Sequence, residues 1–443
     1  MRDLLVLAVI LGSVPICLFN PYYGVLMWTW IAYFNPHRFT WGMAYHFPVA
    51  EVVAVPTLVG TLFARKLNRW PFTRETILLL LLWAWFVITL VYAAQVPELA
   101  GHIQEGQLAL ERVSKILLMT VWAVLLVSSW QRVRYLFLLI AFSIGALALK
   151  GAIFGLRTGG GSLVWGPPES FLANNNDLGL AVAMALPMFF YLARNEENRL
   201  LRWILRILFL CGILCVILTY SRGAMLGLAV VLAVIAVKSR RKLISFFLLL
   251  VCAWLVFSFA PEAWMGRMSA FLGGQLDNSA RSRLWAWSFA WNLAQKYPVT
   301  GGGFEAFNAN LFRKYAAPPV DPRYEFQGPH SIYFQMLGEQ GFVGLGLFLL
   351  LLVCCLLALR KIRRRVRSHD SPGWLVNYSH MLETSFLAYM VSGAFLGRAY
   401  FDLAYQLVAS TIILKILWRR EIVPSPAKEA EPIVVGAEEG VVT

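Results

Sequence analysis

The chain has 443 residues, of which 59% are hydrophobic and only 14% charged, whereas an ordinary soluble domain carries about a quarter charged residues. With a mean hydropathy of +0.64, this excludes a water-soluble globular enzyme, a disordered chain and a disulfide scaffold. Lys and Arg outnumber Asp and Glu by 39 to 24, a net charge of +15; in so apolar a chain that surplus marks cytoplasmic loops and contact with membrane lipid rather than a nucleic-acid partner.

Apolar runs long enough to cross a bilayer recur along nearly the whole chain. They predict spans over 4–34 (interrupted at Asn20-Pro21), 48–63, 76–92, 114–128, 133–149, 172–193, 202–219, 223–237, 242–260, 332–358, 379–397 and 402–418. The expected fold is all-α: a polytopic membrane protein of about twelve transmembrane helices filling residues 1–420. Segments 65–74, 130–134, 194–206, 238–242, 360–367 and 415–420 hold 23 of the 39 basic residues, so the positive-inside rule places them in the cytoplasm. Loops near 35–47, 93–113, 150–171, 261–331 and 398–401 then face outward. The first 34 residues are read as one broken crossing with the N-terminus inside, which agrees with Arg2; two short crossings would put it outside. No small-residue cleavage site follows the first apolar run, so that run is expected to stay as an anchor. The tail 421–443, rich in Pro, Ala, Glu and Val, is expected to be a disordered cytoplasmic extension.

The long outward insertion, 261–331, mixes Trp, Tyr, Gly, Pro and both charge signs. Within it RSRLWAWSFAWNLAQK (281–296) has helical apolar spacing and predicts an amphipathic helix at the interface. Pro318-Pro319 and Asp321-Pro322 mark turns. The six cysteines, Cys17, Cys211, Cys215, Cys252, Cys354 and Cys355, lie in apolar stretches without metal or disulfide spacing.

Ionisable and polar groups in lipid are costly, so they are functional candidates. Thr219-Tyr220-Ser221-Arg222-Gly223 joins two apolar runs and puts Arg222 at the outer surface, either as a snorkelling side chain or as a fork of donors for phosphate oxygens. In Ser279-Ala280-Arg281-Ser282-Arg283-Leu284-Trp285, Arg281 shares a helix face with Trp285 and is placed to close over an anionic ligand. Arg283 points elsewhere and is assigned mainly to lipid headgroups. Gly328-Pro329-His330-Ser331 puts a histidine at the mouth of a span, where it either caps hydrogen bonds or serves as a general base. Asn174-Asn175-Asn176-Asp177 opens another span; these residues cap the helix, or Asn176 and Asp177 help bind a polar headgroup. His37, His46, His102, His369 and His380 lack such a setting. No Asp-x-Asp pair, phosphate loop or metal-spaced cluster occurs, and residues 4–50 contain no acid. No metal and no cofactor are therefore expected, and a glycosyltransferase with an acidic base in its first outward loop is disfavoured.

Taken in order, these pieces resemble the O-antigen ligase and polymerase family of bacterial inner-membrane proteins. The likeness is carried by Phe171 to Asp177, Ser221-Arg222-Gly223, Ser279-Ala280-Arg281 with Trp285, Tyr297 to Gly303 (YPVTGGG) and His330 to Gly341 (HSIYFQMLGEQG). The stretch FNPYYGVLMWTWIAYFNPHRFTWG is similar to the O-glycosylation ligase branch found beside exosortase systems. Ser331 stands where the family often has Asn, so no role for that Asn carries over. The resemblance implies metal-independent, inverting transfer of a glycan from an undecaprenyl-diphosphate donor to an acceptor hydroxyl, lipid A-core or another, on the periplasmic face. It implies His330 as base and Arg222 and Arg281 as diphosphate ligands, with Asn176, Asp177 and Arg283 as further contacts. A polymerase, a protein O-glycan ligase and a lipid-linked glycan transporter remain as alternatives.

Overall fold

The computed structural model describes residues 1–64, 67–68, 70–239, 242, 278–318, 324–366 and 373–422. The span expected at 242–260 with Cys252, the first part of the outward insertion, the turns at Pro319 and Asp321-Pro322, His369 and the tail beyond 422 lie outside the described residues. Among those described, every regular element is a helix and none is a strand. The helices, in chain order, are α1 (Arg2–Phe19), α2 (Pro21–Phe34), α3 (Met43–His46), α4 (Val49–Leu62), α5 (Arg74–Gln95), α6 (Ile103–Leu126), α7 (Trp130–Arg157) and α8 (Asn175–Asn195). There follow α9 (Arg199–Leu218), α10 (Arg222–Lys238), α11 (Asn278–Lys296), α12 (Ala309–Tyr315), α13 (Ile332–Val366), α14 (Gly373–Gly393) and α15 (Asp402–Ile422). Six of them, α1, α5, α7, α8, α9 and α13, are long and apolar enough to cross a membrane by length and composition. This is a multi-pass membrane protein.

Local chemistry sets where these helices begin. Thr73, Ser129, Asn174, Asn198, Ser221 and Asn308 each stand at an N-cap, and each side-chain oxygen accepts a backbone N–H from the first turn. Such a cap contributes about 1 kcal/mol. Helix α8 is the centre of the bundle: Leu178 to Phe189 are buried all round, packed by α7, α9, α10 and α14.

The N-terminal crossing differs from the expectation. Asn20 leaves helical geometry (φ −137°, ψ 85°) and Pro21 starts a new helix, which its missing N–H favours. The chain reverses there, and α1 and α2 pack on each other and on α4. Asp3 Oδ1 accepts the N–H groups of Gly42 and Ala44 at 2.9 and 3.2 Å, so Met1 lies at the same end of the bundle as residues 35–47. Two short antiparallel helices replace the single broken crossing.

The two ends of the bundle differ chemically. At one end basic side chains gather on buried acids: Glu383 meets Lys238, Arg360 and Arg363, Lys415 meets Glu75 at 2.6 Å, and Arg134 meets Glu196 at 2.6 Å. At the other end the segments expected to face outward touch one another. Arg38 bonds Glu169, Glu98 bonds Tyr297 and Lys314, His102 bonds the Gly302 carbonyl, and the Tyr220 hydroxyl bonds the Gly160 carbonyl.

Helix α13 is broken at Gly341 (φ 67°, ψ −172°). The break frees carbonyls that lipid could not satisfy. Gly302 N–H and Gly303 N–H take those of Gly338 and Glu339 at 2.8 and 2.9 Å, and Trp85 Nε1 takes that of Gln340 at 3.0 Å. Phe342 N–H in turn bonds the Pro298 carbonyl at 2.9 Å. The glycine run 301–303 is therefore a plug for the break.

Candidate functional site

His330 stands two residues before α13, in a left-handed backbone conformation (φ 42°), which costs a non-glycine residue on the order of 1–3 kcal/mol. Several contacts hold it there. Trp287 of α11 donates Nε1–H to the Pro329 carbonyl at 3.0 Å and stacks on Phe334 with ring centroids 4.9 Å apart. From the other side comes the loop between α14 and α15: a Cβ added to Gly397 would lie 2.8 Å from Pro329 Cγ and 3.2 Å from His330 N. The Gln327 amide meets His330 Nε2 at 2.8 Å. An amide NH₂ only donates, so that nitrogen accepts and the ring proton sits on Nδ1. Burial, and behind it the Arg283 guanidinium, push the imidazole down to about 4. His330 is thus a neutral ring at pH 7, beside a cation.

Arg283 is the arginine of α11 that reaches this histidine. It is half-buried, whereas Arg281 is exposed. Trp285, the face partner of Arg281, turns instead into a separate apolar cluster, where its ring meets Phe312 at 4.8 Å and its Nε1–H bonds the Ala317 carbonyl. The sequence contained the signal for the other face. Arg283 and Trp287 are also four apart, and Trp287 is the residue docked on Pro329.

Arg222 opens α10 directly after Ser221, its N-cap, and after Tyr220, which is left-handed like His330 (φ 54°). Its neighbour Gly223 packs on the 392–396 segment, just ahead of Gly397. Asn175 Nδ2 donates to the Thr219 carbonyl at 2.8 Å, joining the α8 start to the same turn. Asn176 is half-buried, its backbone N–H bonded to Asn174 Oδ1 at 3.0 Å. Asp177 is buried and gripped by Arg398 through both carboxylate oxygens. So the starts of α10 and α8, which carry Arg222 and Asp177, and the turn before α13, which carries His330, border one segment, 392–398.

Arg398 and Glu339 escaped the sequence reading. Arg398 is a cation in a short outward loop, the same anomaly that drew attention to Arg222. Glu339 is a carboxyl inside an apolar span. Its side chain accepts the Tyr400 hydroxyl at 2.6 Å, one turn after Gln335, which accepts Ala399 N–H at 3.0 Å. Glu339, Gln335, Tyr400, Arg398, Arg112 and Glu305 line a cavity of about 120 Å³. Among the described residues no cluster of three or more His, Cys, Asp or Glu has the arrangement of a metal site.

Residues 207–349 match the O-antigen ligase family. That segment is an O-antigen ligase domain, about a third of the chain. The match holds Arg222, Arg281, Arg283, His330 and Glu339, so the broken helix α13 and the turn before it are family elements. Residues 1–197 match a family of unknown function, which takes in Asn176 and Asp177. No curated protein matches the chain. The domain match supports a membrane glycan ligase or polymerase and a glycosyltransferase-like activity.

Proposed function

We propose that this protein, through its O-antigen ligase domain, transfers a glycan from undecaprenyl diphosphate to an acceptor hydroxyl on the periplasmic face of the bacterial inner membrane. The observation that carries the reading is the neutral imidazole of His330 held beside the Arg283 guanidinium in a strained turn at one end of the bundle. The acceptor hydroxyl attacks the anomeric carbon on the side opposite the diphosphate, so the configuration inverts. As the C1–O bond breaks, its electron pair leaves with the diphosphate, and the hydroxyl proton passes to His330 Nε2, the nitrogen that the Gln327 amide gives up as the acceptor binds. Arg222, Arg281 and Arg283 stabilise the departing charge, with no metal required. Preorganised donors, here Arg222 and Arg283, typically contribute about 2.7–4 kcal/mol each. Asn176 and Asp177 act from the α8 start, Asp177 by fixing Arg398. Apolar helix faces hold the polyprenyl chain. The basic end of the bundle lies in the cytoplasm by the positive-inside rule. Lipid A-core is the acceptor of first choice.

The test is purified protein in nanodiscs with a polyprenyl-diphosphate oligosaccharide and a lipid A-core acceptor. His330→Ala is expected to lose roughly 10²–10⁴-fold in kcat, and Arg222→Ala a comparable factor, while EDTA leaves turnover unchanged. Full activity in either variant removes that residue from the scheme. One transferred glycan per acceptor identifies a ligase; a ladder of products identifies a polymerase.

A further inference from the structure

Next to the cavity at Glu339 lies a larger one, about 560 Å³, whose walls come mostly from the N-terminal segment of unknown function. The two share Arg112, Ile116, Phe171 and Arg398 as common wall. Trp28 of α2, His37 and Arg38 of the turn after it, Phe47 ahead of α4, and Lys115 of α6 line the larger one, with Arg398 closing the side toward His330.

The arginines and lysine of this lining are already matched, and its Asp402 accepts the Tyr33 hydroxyl at 3.2 Å. Arg38 pairs with Glu169 at 2.7 Å, Lys115 with Glu51 at 2.8 Å, Arg112 with Glu305 at 3.5 Å, and Arg398 with Asp177. A phosphate would have to compete with a carboxylate for every cation. A hydroxyl group needs no such exchange, because it donates to a carboxylate and accepts from the neighbouring ammonium or guanidinium together. His37 adds a second, independent indication. Its residue is 8% exposed and its Nδ1 makes no hydrogen bond among the described residues. Burial, then Arg38, lower that imidazole to about 4, so at neutral pH it offers one donor and one acceptor. Aromatic rings at Trp28, Phe47 and Phe171 complete an apolar-walled space with convergent polar groups, the make-up of a small-ligand site.

We propose that the N-terminal segment is the acceptor module: this cavity binds a neutral, hydroxylated sugar ring of the acceptor and presents its reactive hydroxyl across Arg398 toward His330. The assignment rests on the transferase reading above and gives the family of unknown function a task within it. His37 is a positioning and specificity residue here, not an acid or base.

The experiment places a benzophenone amino acid at Trp28, with a control at Leu210 of α9, which is 65% exposed. Full-length protein is irradiated in cells that make the envelope glycans, purified, and probed for carbohydrate by periodate and hydrazide labelling. In parallel, the acceptor KM of His37→Phe is measured with lipid A-core. The expected result is a carbohydrate adduct at position 28, absent at 210 and retained in a His330→Ala background. The acceptor KM should rise on the order of tenfold while donor KM stays unchanged. Normal transfer with no carbohydrate adduct, or with phospholipid adducts alone, and an unchanged acceptor KM would overturn the subsite and leave the transferase reading standing. An adduct at 28 in a wild-type protein that transfers nothing would do the reverse. Absence of both adduct and transfer overturns both.

Discussion

Arg398 holds Asp177 by a two-pronged ion pair that ties the loop between α14 and α15 to the first turn of α8. The carboxylate is almost fully buried, and the guanidinium keeps about a third of its side-chain surface, 36%. Removing one partner of a fully buried pair costs about 3–5 kcal/mol, because the other charge is left unpaired. Arg398 is partly solvated, so Asp177→Ala is expected at the low end, about 3 kcal/mol. Asp177→Asn, which keeps one acceptor, should cost less. Thermal unfolding in detergent checks the order. Equal melting temperatures for wild type and Asp177→Ala would mean that the pair contributes nothing.

Gly341 and Gly301 are predicted to be intolerant of any side chain. Both have positive φ, 67° and 64°. A Cβ on Gly341 would stand 2.3 Å from the Val299 carbonyl oxygen, and one on Gly301 would stand 2.6 Å from Gly341 N. Backbone strain alone costs on the order of 1–3 kcal/mol, and the clash is with backbone that the helix break holds in place. Gly341→Ala should therefore fail to give monodisperse protein by fluorescence-detected size exclusion. Gly346, with nothing within 4 Å, is the control: Gly346→Ala should be neutral or stabilise by up to about 1 kcal/mol.

The helices were legible in the sequence because lipid demands continuous apolar runs. Every expected span that falls on described residues corresponds to one or two helices. The reversal at Asn20-Pro21 was harder. A broken span and a tight hairpin share the same punctuation, and only the Asp3 contact with Gly42 and Ala44 separates them. At the candidate site, His330 and Arg222 stand out in the sequence because a polar group at the edge of an apolar run is conspicuous. Arg283 was set below Arg281 because helical spacing gives two faces and does not say which one docks. Arg398 and Glu339 were missed for a different reason: their partners, Asp177 and Tyr400, lie 221 and 61 residues away, and such pairings leave no local pattern.

The pH dependence should have a defined direction. His330 and His37 are each held near 4 when folded, chiefly by burial, against about 6.5 unfolded. Between those values the unfolded chain binds more protons, so their contribution to stability is complete above about pH 6.5 and is lost as pH falls toward 4. The double variant His37→Gln, His330→Gln should lose melting temperature less steeply over that window than the wild type. In the transfer assay, the acid limb of kcat/KM should inflect near 4 instead of 6.5. Arg283→Gln removes the nearby cation and should move that inflection upward, though not fully to 6.5, because burial is the larger cause. A wild-type limb inflecting at 6.5 would show that burial and Arg283 do not depress the His330 imidazole, and a limb that also persists in His330→Gln would belong to another group.

Arg283 should matter more to turnover than Arg281. Arg283 lies close enough to His330 to depress its protonation, and its face of α11 is fixed by Trp287 on Pro329 and Phe334. Arg281 is exposed, so any grip it has on a diphosphate must be formed as substrate arrives and costs side-chain entropy on the order of 1.5–2 kcal/mol. Arg283→Ala is therefore expected to lower kcat by roughly 10²–10³-fold, as for loss of one preorganised donor. Arg281→Ala should lower it by about tenfold or less and act mainly on donor KM. Steady-state kinetics with varied donor separates the two. If Arg281→Ala proved the more damaging in kcat, the diphosphate would have to sit on the outer face of α11, away from His330, and the acceptor proton would need another base.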